Sequence, residues 1–178
     1  MKIKHMVLTA IFSAMTAVGA FIQIPMWPAS ATLQTMFTAA AGILLGSKLG
    51  ALSQALYLLL GLFGLPIFTK GSGFGYIIQP TFGFLLALPV TAWIAGYIYK
   101  KNNSAFGAVT ACTAAYLSLY AIGVPYMWLI VNRVNNVNMT FITALRSGML
   151  LFLPGDILKI ILVSYLSVKL KKIKLLTL

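Results

Sequence analysis

The segment FLPGDILK, residues 152–159, contains the one acidic residue of the chain, Asp156, and a lysine three positions later, Lys159. Residues at i and i+3 lie on the same face of a helix. Ionisable side chains inside apolar membrane segments are costly, and most of them face a cavity or a transport pathway. The spacing therefore predicts that Asp156 and Lys159 contribute to a binding site. The alternatives are an intrahelical ion pair that cancels the charge, or a Lys159 that reaches to the membrane surface.

The composition places these two residues in a membrane protein. The chain has 178 residues, of which 61% are hydrophobic and 8% are charged, and its mean hydropathy is +0.98. A helix that crosses the hydrocarbon core needs about 20 apolar residues. We therefore expect an all-α integral membrane protein, a single domain over residues 1–178 that consists of a six-transmembrane-helix bundle. This length leaves no room for a soluble catalytic domain.

Apolar runs and their boundaries predict where the six helices lie. Pro25 and Pro28 should end the first helix, because proline lacks an N–H and restricts the residue before it. Pro154 suits the first turn of the last helix, where the missing N–H is no loss. The predicted helices are residues 6–24, 32–46, 48–66, 81–99, about 106–131, and 154 to the basic tail that begins at Lys169.

The basic residues predict the orientation of the bundle. With six spans both termini share a side, and the loops on that side contain nine lysines. Cytoplasmic loops are enriched in Lys and Arg, so both termini should be cytoplasmic. The nine are Lys2, Lys4, Lys48, Lys100, Lys101, Lys169, Lys171, Lys172 and Lys174, against Lys70, Arg133 and Arg146 on the other side.

Two polar stretches on the outer side, WPASATLQT and TKGSGFGYIIQPT, are candidates for the walls of a ligand cavity. Gly73 lets the backbone approach a ligand closely. The amides of Gln34 and Gln79 can donate and accept hydrogen bonds, and Tyr76 can pack against an apolar ligand. Lys70 supplies a cation in the second stretch. An ordinary loop with interfacial aromatic residues would have a similar composition.

Helix one has a separate signal. Ala10 and Ala14 have the small-x-x-x-small spacing that lets two membrane helices approach closely. The strip can serve a partner protein or internal packing, and the pattern does not distinguish them.

Four stretches together resemble one family. They are TLQT at residues 32–35, LLGSKLGALSQALYLLLGLFGLPIF, GSGFGYIIQPTFGF and FLPGDILK. In this order and spacing, the chain is similar to the BioY-type substrate-binding (S) components of energy-coupling factor vitamin transporters, which are specific for biotin. The resemblance covers nearly the whole chain.

The resemblance implies a membrane subunit of a prokaryotic cell that captures biotin from outside, has no ATPase and uses no cofactor. Transport then requires a transmembrane coupling subunit and two ABC-type ATPases, and Ala10 and Ala14 resemble the strip that docks on the coupling subunit. The acidic residue of the family motif falls on Asp156 and its lysine on Lys159. Either Lys159 or Lys70 would meet the biotin carboxylate.

Three other functions remain to be compared with biotin capture. An S component for another vitamin would share the bundle and the helix-one alanines but not PGDILK. An intramembrane hydrolase would need a second carboxylate or a nucleophile and base together, and His5 and Cys112 lie on different spans. An autonomous carrier or channel could use Asp156 to relay protons, although no inverted repeat is evident. The lone Cys112 implies neither a disulfide nor a metal site.

Overall fold

The computed structural model describes residues 3–172, so that Lys2 and Lys174 of the orientation count lie outside the described residues. The helices of this part are α1 Ile3–Phe21, α2 Gln34–Leu45, α3 Ser47–Leu62, α4 Phe82–Lys101, α5 Ala105–Arg133, α6 Phe141–Leu145 and α7 Leu153–Lys172. A two-stranded hairpin, β1 Gln23–Ile24 and β2 Ala31–Thr32, follows α1. A 3₁₀ helix, Phe74–Ile78, precedes α4, and a π-helical turn, Arg146–Leu150, joins α6 to the turn before α7.

Five helical stretches in the described part are long and apolar enough to cross a membrane. One of them, Gln34–Leu62, is broken at Gly46, whose φ of 81° is a conformation that favours glycine. Gln34 contacts Tyr57 and Thr38 contacts Gln54 across the break. These pairs show that α2 and α3 fold back against each other in antiparallel fashion.

The first helix ends at Phe21, three residues earlier than the sequence predicts. The difference arises because Gln23 and Ile24 pair with Thr32 and Ala31 in the hairpin instead of continuing the helix. Pro25 favours this extended conformation in the residue before it. The hairpin brings the stretch 29–32 over the end of the bundle that also receives the start of α7.

Small residues form the packed interior, where α4 lies along α5. Alanines from both helices are fully buried there, among them Ala87, Ala95, Ala108 and Ala111. Small side chains let membrane helices approach closely. Phe12 of α1 is buried against α2, but other large apolar side chains of α1 are exposed, with Val18 at 60% and Phe21 at 55%. This apolar exterior fits a chain surrounded by lipid.

The last helix begins at Leu153, within one residue of its predicted start. Pro154 follows in the first turn, where helices tolerate a missing backbone donor. Asp156 is in that same turn, and its N–H donates to the carbonyl of Phe152 at 2.9 Å. The helix packs against α5 and α2, and this contact places the first turn of α7 beside the loops at the mouth of the bundle.

Candidate functional site

A cavity lies where the hairpin, the 3₁₀ region and the first turn of α7 meet. We call it the Asp156 cavity. It contains about 710 Å³ of space that no atom occupies, its opening included. The lining residues are Ala20, Ala29, Ser30, Ala31, Thr32, Gln34, Thr35, Tyr57, Phe68, Thr69, Tyr76, Thr81, Phe84, Leu85, Leu88, Leu119, Tyr120, Phe152, Asp156 and Lys159. Both polar stretches that the sequence suggested as walls contribute to it.

The charged pair lies on the wall of this cavity and is almost fully buried. Asp156 is 3% exposed and Lys159 is 8% exposed. The Nζ of Lys159 donates to Oδ1 of Asp156 at 2.9 Å and to the hydroxyl of Thr35 at 3.1 Å. The hydroxyl of Tyr120 donates to Oδ2 of the same carboxylate. Three helices, α2, α5 and α7, therefore hold one carboxylate in a fixed position.

These contacts leave hydrogen-bonding capacity for a ligand. A carboxylate has about four acceptor positions and an ammonium has three donors. Asp156 uses one position on each oxygen, and Lys159 uses two of its three N–H groups. The pair can thus accept from ligand N–H groups and still donate once. The first turn of α7 also supplies the positive end of the helix dipole, which attracts a negatively charged side chain.

Gln34 and Tyr57 form a second polar part of the wall. The Nε2 of Gln34 donates to the Tyr57 hydroxyl at 2.8 Å, and that hydroxyl donates to the carbonyl of Ile67 at 3.1 Å. Deeper in the bundle, the amide of Gln54 accepts from Thr38 at 3.0 Å and donates to Thr16 at 3.1 Å. Buried polar groups are stable only when paired in this way, and the pairs fix α1, α2 and α3 around the cavity.

Aromatic and aliphatic side chains cover the rest of the wall. Phe68 packs edge-on against Tyr57 and tilted against Tyr76, with ring centroids 5.4 Å and 4.7 Å apart. The Tyr76 hydroxyl lies 3.2 Å from that of Thr81. Phe84 packs near Tyr120 with centroids 6.4 Å apart. An apolar wall with a few convergent polar groups is the usual form of a small-molecule site.

The structure brings together four of the residues suggested as ligand contacts and leaves three outside. Asp156, Lys159, Gln34 and Tyr76 line the cavity. The other three do not line it: Gly73 and Gln79 are half-buried, and Lys70 is exposed next to the lining residue Thr69. The side chains of Trp27 and Phe74, also considered for packing on a ligand, are 59% and 64% exposed.

Sequence reasoning missed Tyr120 and Thr35, which complete the polar contacts around the pair. Tyr120 is in the middle of the long helix α5, and only the three-dimensional packing puts it beside Asp156, 36 residues away. Its phenolic hydroxyl within an apolar span is a signal in retrospect, since buried tyrosines usually find a hydrogen-bond partner. Thr35 adjoins Gln34, so the same helix start supplies both.

Ala10 and Ala14 do not line this cavity and lie on the outer face of α1. Both are exposed, whereas Thr9, Ser13 and Thr16 of the same helix are buried against the bundle. The small strip is therefore not used for packing within the chain.

Between residues 3 and 172 no three His, Cys, Asp or Glu side chains come together in a group that could hold a metal ion.

Comparison with known proteins identifies the family. The model of the BioY family matches residues 1–175. A solved structure described as the S-component for biotin from an ECF-type ABC transporter superposes with a TM-score of 0.83 at 28% identity, covering 96% of this chain and 92% of that one. The fold is thus shared over nearly the full length.

Curated relatives agree with the family match. A probable biotin transporter BioY of Lysinibacillus sphaericus is 41% identical over 71% of this chain, although the alignment spans 66% of that relative. A probable biotin transporter BioY of Pyrococcus horikoshii is 38% identical, covering 89% of this chain and 91% of the relative. The biotin transporter BioY of Thermotoga maritima is 30% identical, covering 96% and 98%. The chain is therefore a multi-pass membrane protein that belongs to the BioY family.

Proposed function

We propose that this protein is the biotin-binding S component of an energy-coupling factor transporter and that the Asp156 cavity is its biotin site. The observation that carries the proposal is the buried Asp156–Lys159 pair on a cavity wall, held by Tyr120 and Thr35. The similarity to a biotin S component and to BioY relatives supports the choice of ligand. S components are the ligand-binding subunits of transporters and catalyse no reaction, so the protein is not an enzyme.

The chemistry of biotin suits this wall. Its ureido ring has two N–H donors and one carbonyl acceptor on an apolar bicycle. Asp156 accepts a ureido N–H in a charge-assisted bond, which is stronger than a neutral one. The remaining N–H of Lys159 donates to the ureido carbonyl. Phe84, Leu88 and Phe152, which line the same cavity, pack against the bicycle.

The valerate carboxylate needs a cation of its own. Lys159 is already engaged with Asp156 and Thr35, so we assign the carboxylate to Lys70. Lys70 is exposed and follows the lining residue Thr69, which places its chain at the edge of the cavity. Gln34 and Tyr76 contact the ligand from the wall, while Gln79 and Gly73 support the loop that covers it.

The proposed topology has six spans with both termini in the cytoplasm. The antiparallel contact of α2 with α3 across Gly46 supports counting them as two spans. The excess of lysines on the side of the termini supports the orientation. The Asp156 cavity then opens to the outside, where biotin is captured.

Delivery inward requires partners. We propose a transmembrane coupling subunit and two ABC-type ATPases, with the exposed strip of Ala10 and Ala14 as the contact with the coupling subunit. The close approach that small residues allow between membrane helices supports this assignment.

Calorimetric titration of the purified protein with biotin, thiamine and riboflavin tests which vitamin it binds. Biotin alone should bind and saturate at one molecule per chain. Tighter binding of thiamine or riboflavin would assign the chain to another vitamin.

Uptake of biotin into proteoliposomes tests the need for partners. Vesicles that contain this chain alone should accumulate no biotin, and vesicles that also contain an energy-coupling module should accumulate it when ATP is supplied. Accumulation by the chain alone, driven by a proton gradient, would support an autonomous carrier instead.

A further inference from the structure

A second concave surface lies between the start of α5 and the end of α7. We call it the α5–α7 groove. It contains about 1130 Å³ of space free of atoms, its open side included, and its lining residues are Ala105, Phe106, Val109, Ile161, Ser164, Tyr165, Val168 and Lys169. None of these lines the Asp156 cavity. The groove is at the opposite end of α7 from Asp156, on the outside of the bundle.

The walls of the groove are large apolar side chains that remain exposed. Phe106 is 72% exposed, Tyr165 is 63% exposed and Ile161 is 57% exposed. A second helix approaches a membrane helix closely where the facing residues are small, as they are at Ala10 and Ala14 on α1. The bulky side chains of this groove do not allow such a close approach, so the groove suits a flexible hydrocarbon chain better than a helix.

Three polar groups interrupt this apolar surface, namely the ammonium of Lys169 and the hydroxyls of Ser164 and Tyr165. The Nζ of Lys169 is 5.8 Å from the centre of the Tyr165 ring. The hydroxyl of Ser164 is buried and has no hydrogen-bond partner among residues 3–172, in a residue that is 6% exposed. A buried hydroxyl without a partner is uncommon in proteins. Its position on the groove wall points to a ligand that accepts a hydrogen bond there.

We propose that the α5–α7 groove binds one anionic phospholipid. The phosphate pairs with Lys169, an acyl chain fills the apolar groove, and an ester carbonyl accepts from Ser164. Lys169 follows Ser164 by five positions, which is about 7.5 Å along a helix. This spacing matches a lipid whose ester groups lie deeper in the membrane than its phosphate.

The charge of the chain and the place of the groove favour an anionic headgroup. The formal net charge is +12, and basic pockets between membrane helices on the cytoplasmic side bind anionic lipid headgroups. In the proposed orientation, the Lys169 end of α7 faces that leaflet. The lipid would hold α7, the helix that carries Asp156, at a fixed depth.

Native mass spectrometry of the detergent-purified chain, titrated with phosphatidylglycerol or phosphatidylcholine, tests the proposal. The wild-type chain should carry one bound phosphatidylglycerol at lipid concentrations that are too low for phosphatidylcholine to bind. Lys169→Gln should weaken retention about fivefold, the order expected for one lysine near an anionic lipid. Lys101→Gln is the matched control, since Lys101 also lies over a tyrosine, at 4.6 Å from the Tyr97 ring centre, but outside the groove. Lys101→Gln should bind phosphatidylglycerol as tightly as the wild type does.

Two further arms locate the lipid within the groove. Ala105→Phe, at an exposed position, narrows the groove without removing charge and should also weaken retention. Ether-linked phosphatidylglycerol lacks ester carbonyls and should bind the wild type about fivefold less well, the order of one hydrogen bond. Ser164→Ala should abolish that difference. Equal loss in Lys169→Gln and Lys101→Gln, equal retention of both headgroups, or a dimer in place of a lipid adduct would overturn the proposal.

Discussion

Substituting Asp156 and Lys159 singly and together measures how strongly the buried pair is coupled. The side chains of Lys159 and Asp156 are 10% and 5% exposed and form a 2.9 Å ion pair. Removing one partner of a buried pair leaves an uncompensated charge, which costs about 3–5 kcal/mol, whereas replacing both is often neutral. The variants are Asp156→Asn, Lys159→Met and the double substitution.

The contacts predict which single variant loses more stability. In Lys159→Met, the carboxylate keeps the Tyr120 hydroxyl and the helix N-terminus, so the loss should be near 3 kcal/mol, the lower end of that range. In Asp156→Asn, the ammonium loses the carboxylate and keeps only neutral acceptors, the Thr35 hydroxyl and the carbonyl of the new amide, so the loss should approach about 5 kcal/mol. The free energy of unfolding of the double variant should be close to that of the wild type, because replacing both partners of a buried pair is often neutral.

Reversible unfolding in mixed detergent micelles gives the free energy of unfolding of each variant. Lys101→Gln, at an exposed lysine, serves as the control and should change it by less than about 0.5 kcal/mol. A double variant whose loss equals the sum of the two single losses would refute the coupling, because independent sites are additive.

Three further variants test separate parts of the account. Tyr120→Phe should lower the free energy of unfolding by about 1.5–3 kcal/mol, as expected for a hydrogen bond to a charged group, and reduce biotin affinity; an unchanged protein would remove Tyr120 from the site. Lys70→Gln should weaken biotin in calorimetry but not biotin methyl ester, which has no carboxylate; equal losses for both would return the carboxylate to Lys159. Ala14→Leu should keep biotin affinity and reduce ATP-driven uptake with the coupling module, whereas Met15→Leu on the same helix should not; normal uptake by Ala14→Leu would exclude the strip as the docking contact.

Hydropathy and proline positions predicted most of the helices, because a membrane imposes length and apolarity on each span. The start of α7 follows from Pro154, and it agrees with the structure within one residue. The end of α1 was wrong by three residues, since pairing of Ile24 with Ala31 depends on a hairpin that no local periodicity reveals. By length and composition Gln34–Leu62 is a single apolar stretch of 29 residues. In the structure Gly46, with its positive φ, divides this stretch into α2 and α3.

The sequence predicted the polar residues of the cavity only where they lie close together along the chain. Asp156 and Lys159 stand out because a charged pair three residues apart in an apolar segment is costly unless it has a function. Tyr120 and Thr35 reach the pair from other helices, and such contacts depend on packing over long sequence separations. Gly73 and Gln79 had the composition of a ligand loop, yet they are half-buried beside the cavity and not on its wall.

Titration of biotin into the wild type, Asp156→Asn and Asp156→Ala tests the central claim most directly. Asn keeps a carbonyl acceptor and loses the charge, so its affinity should fall about fivefold to tenfold, the difference between a charged and a neutral hydrogen bond. Ala loses the acceptor and should bind about tenfold to 150-fold more weakly, the value of one hydrogen bond to a charged group. Undiminished affinity in both variants, with the protein still folded, would contradict the assignment of Asp156 to the biotin site.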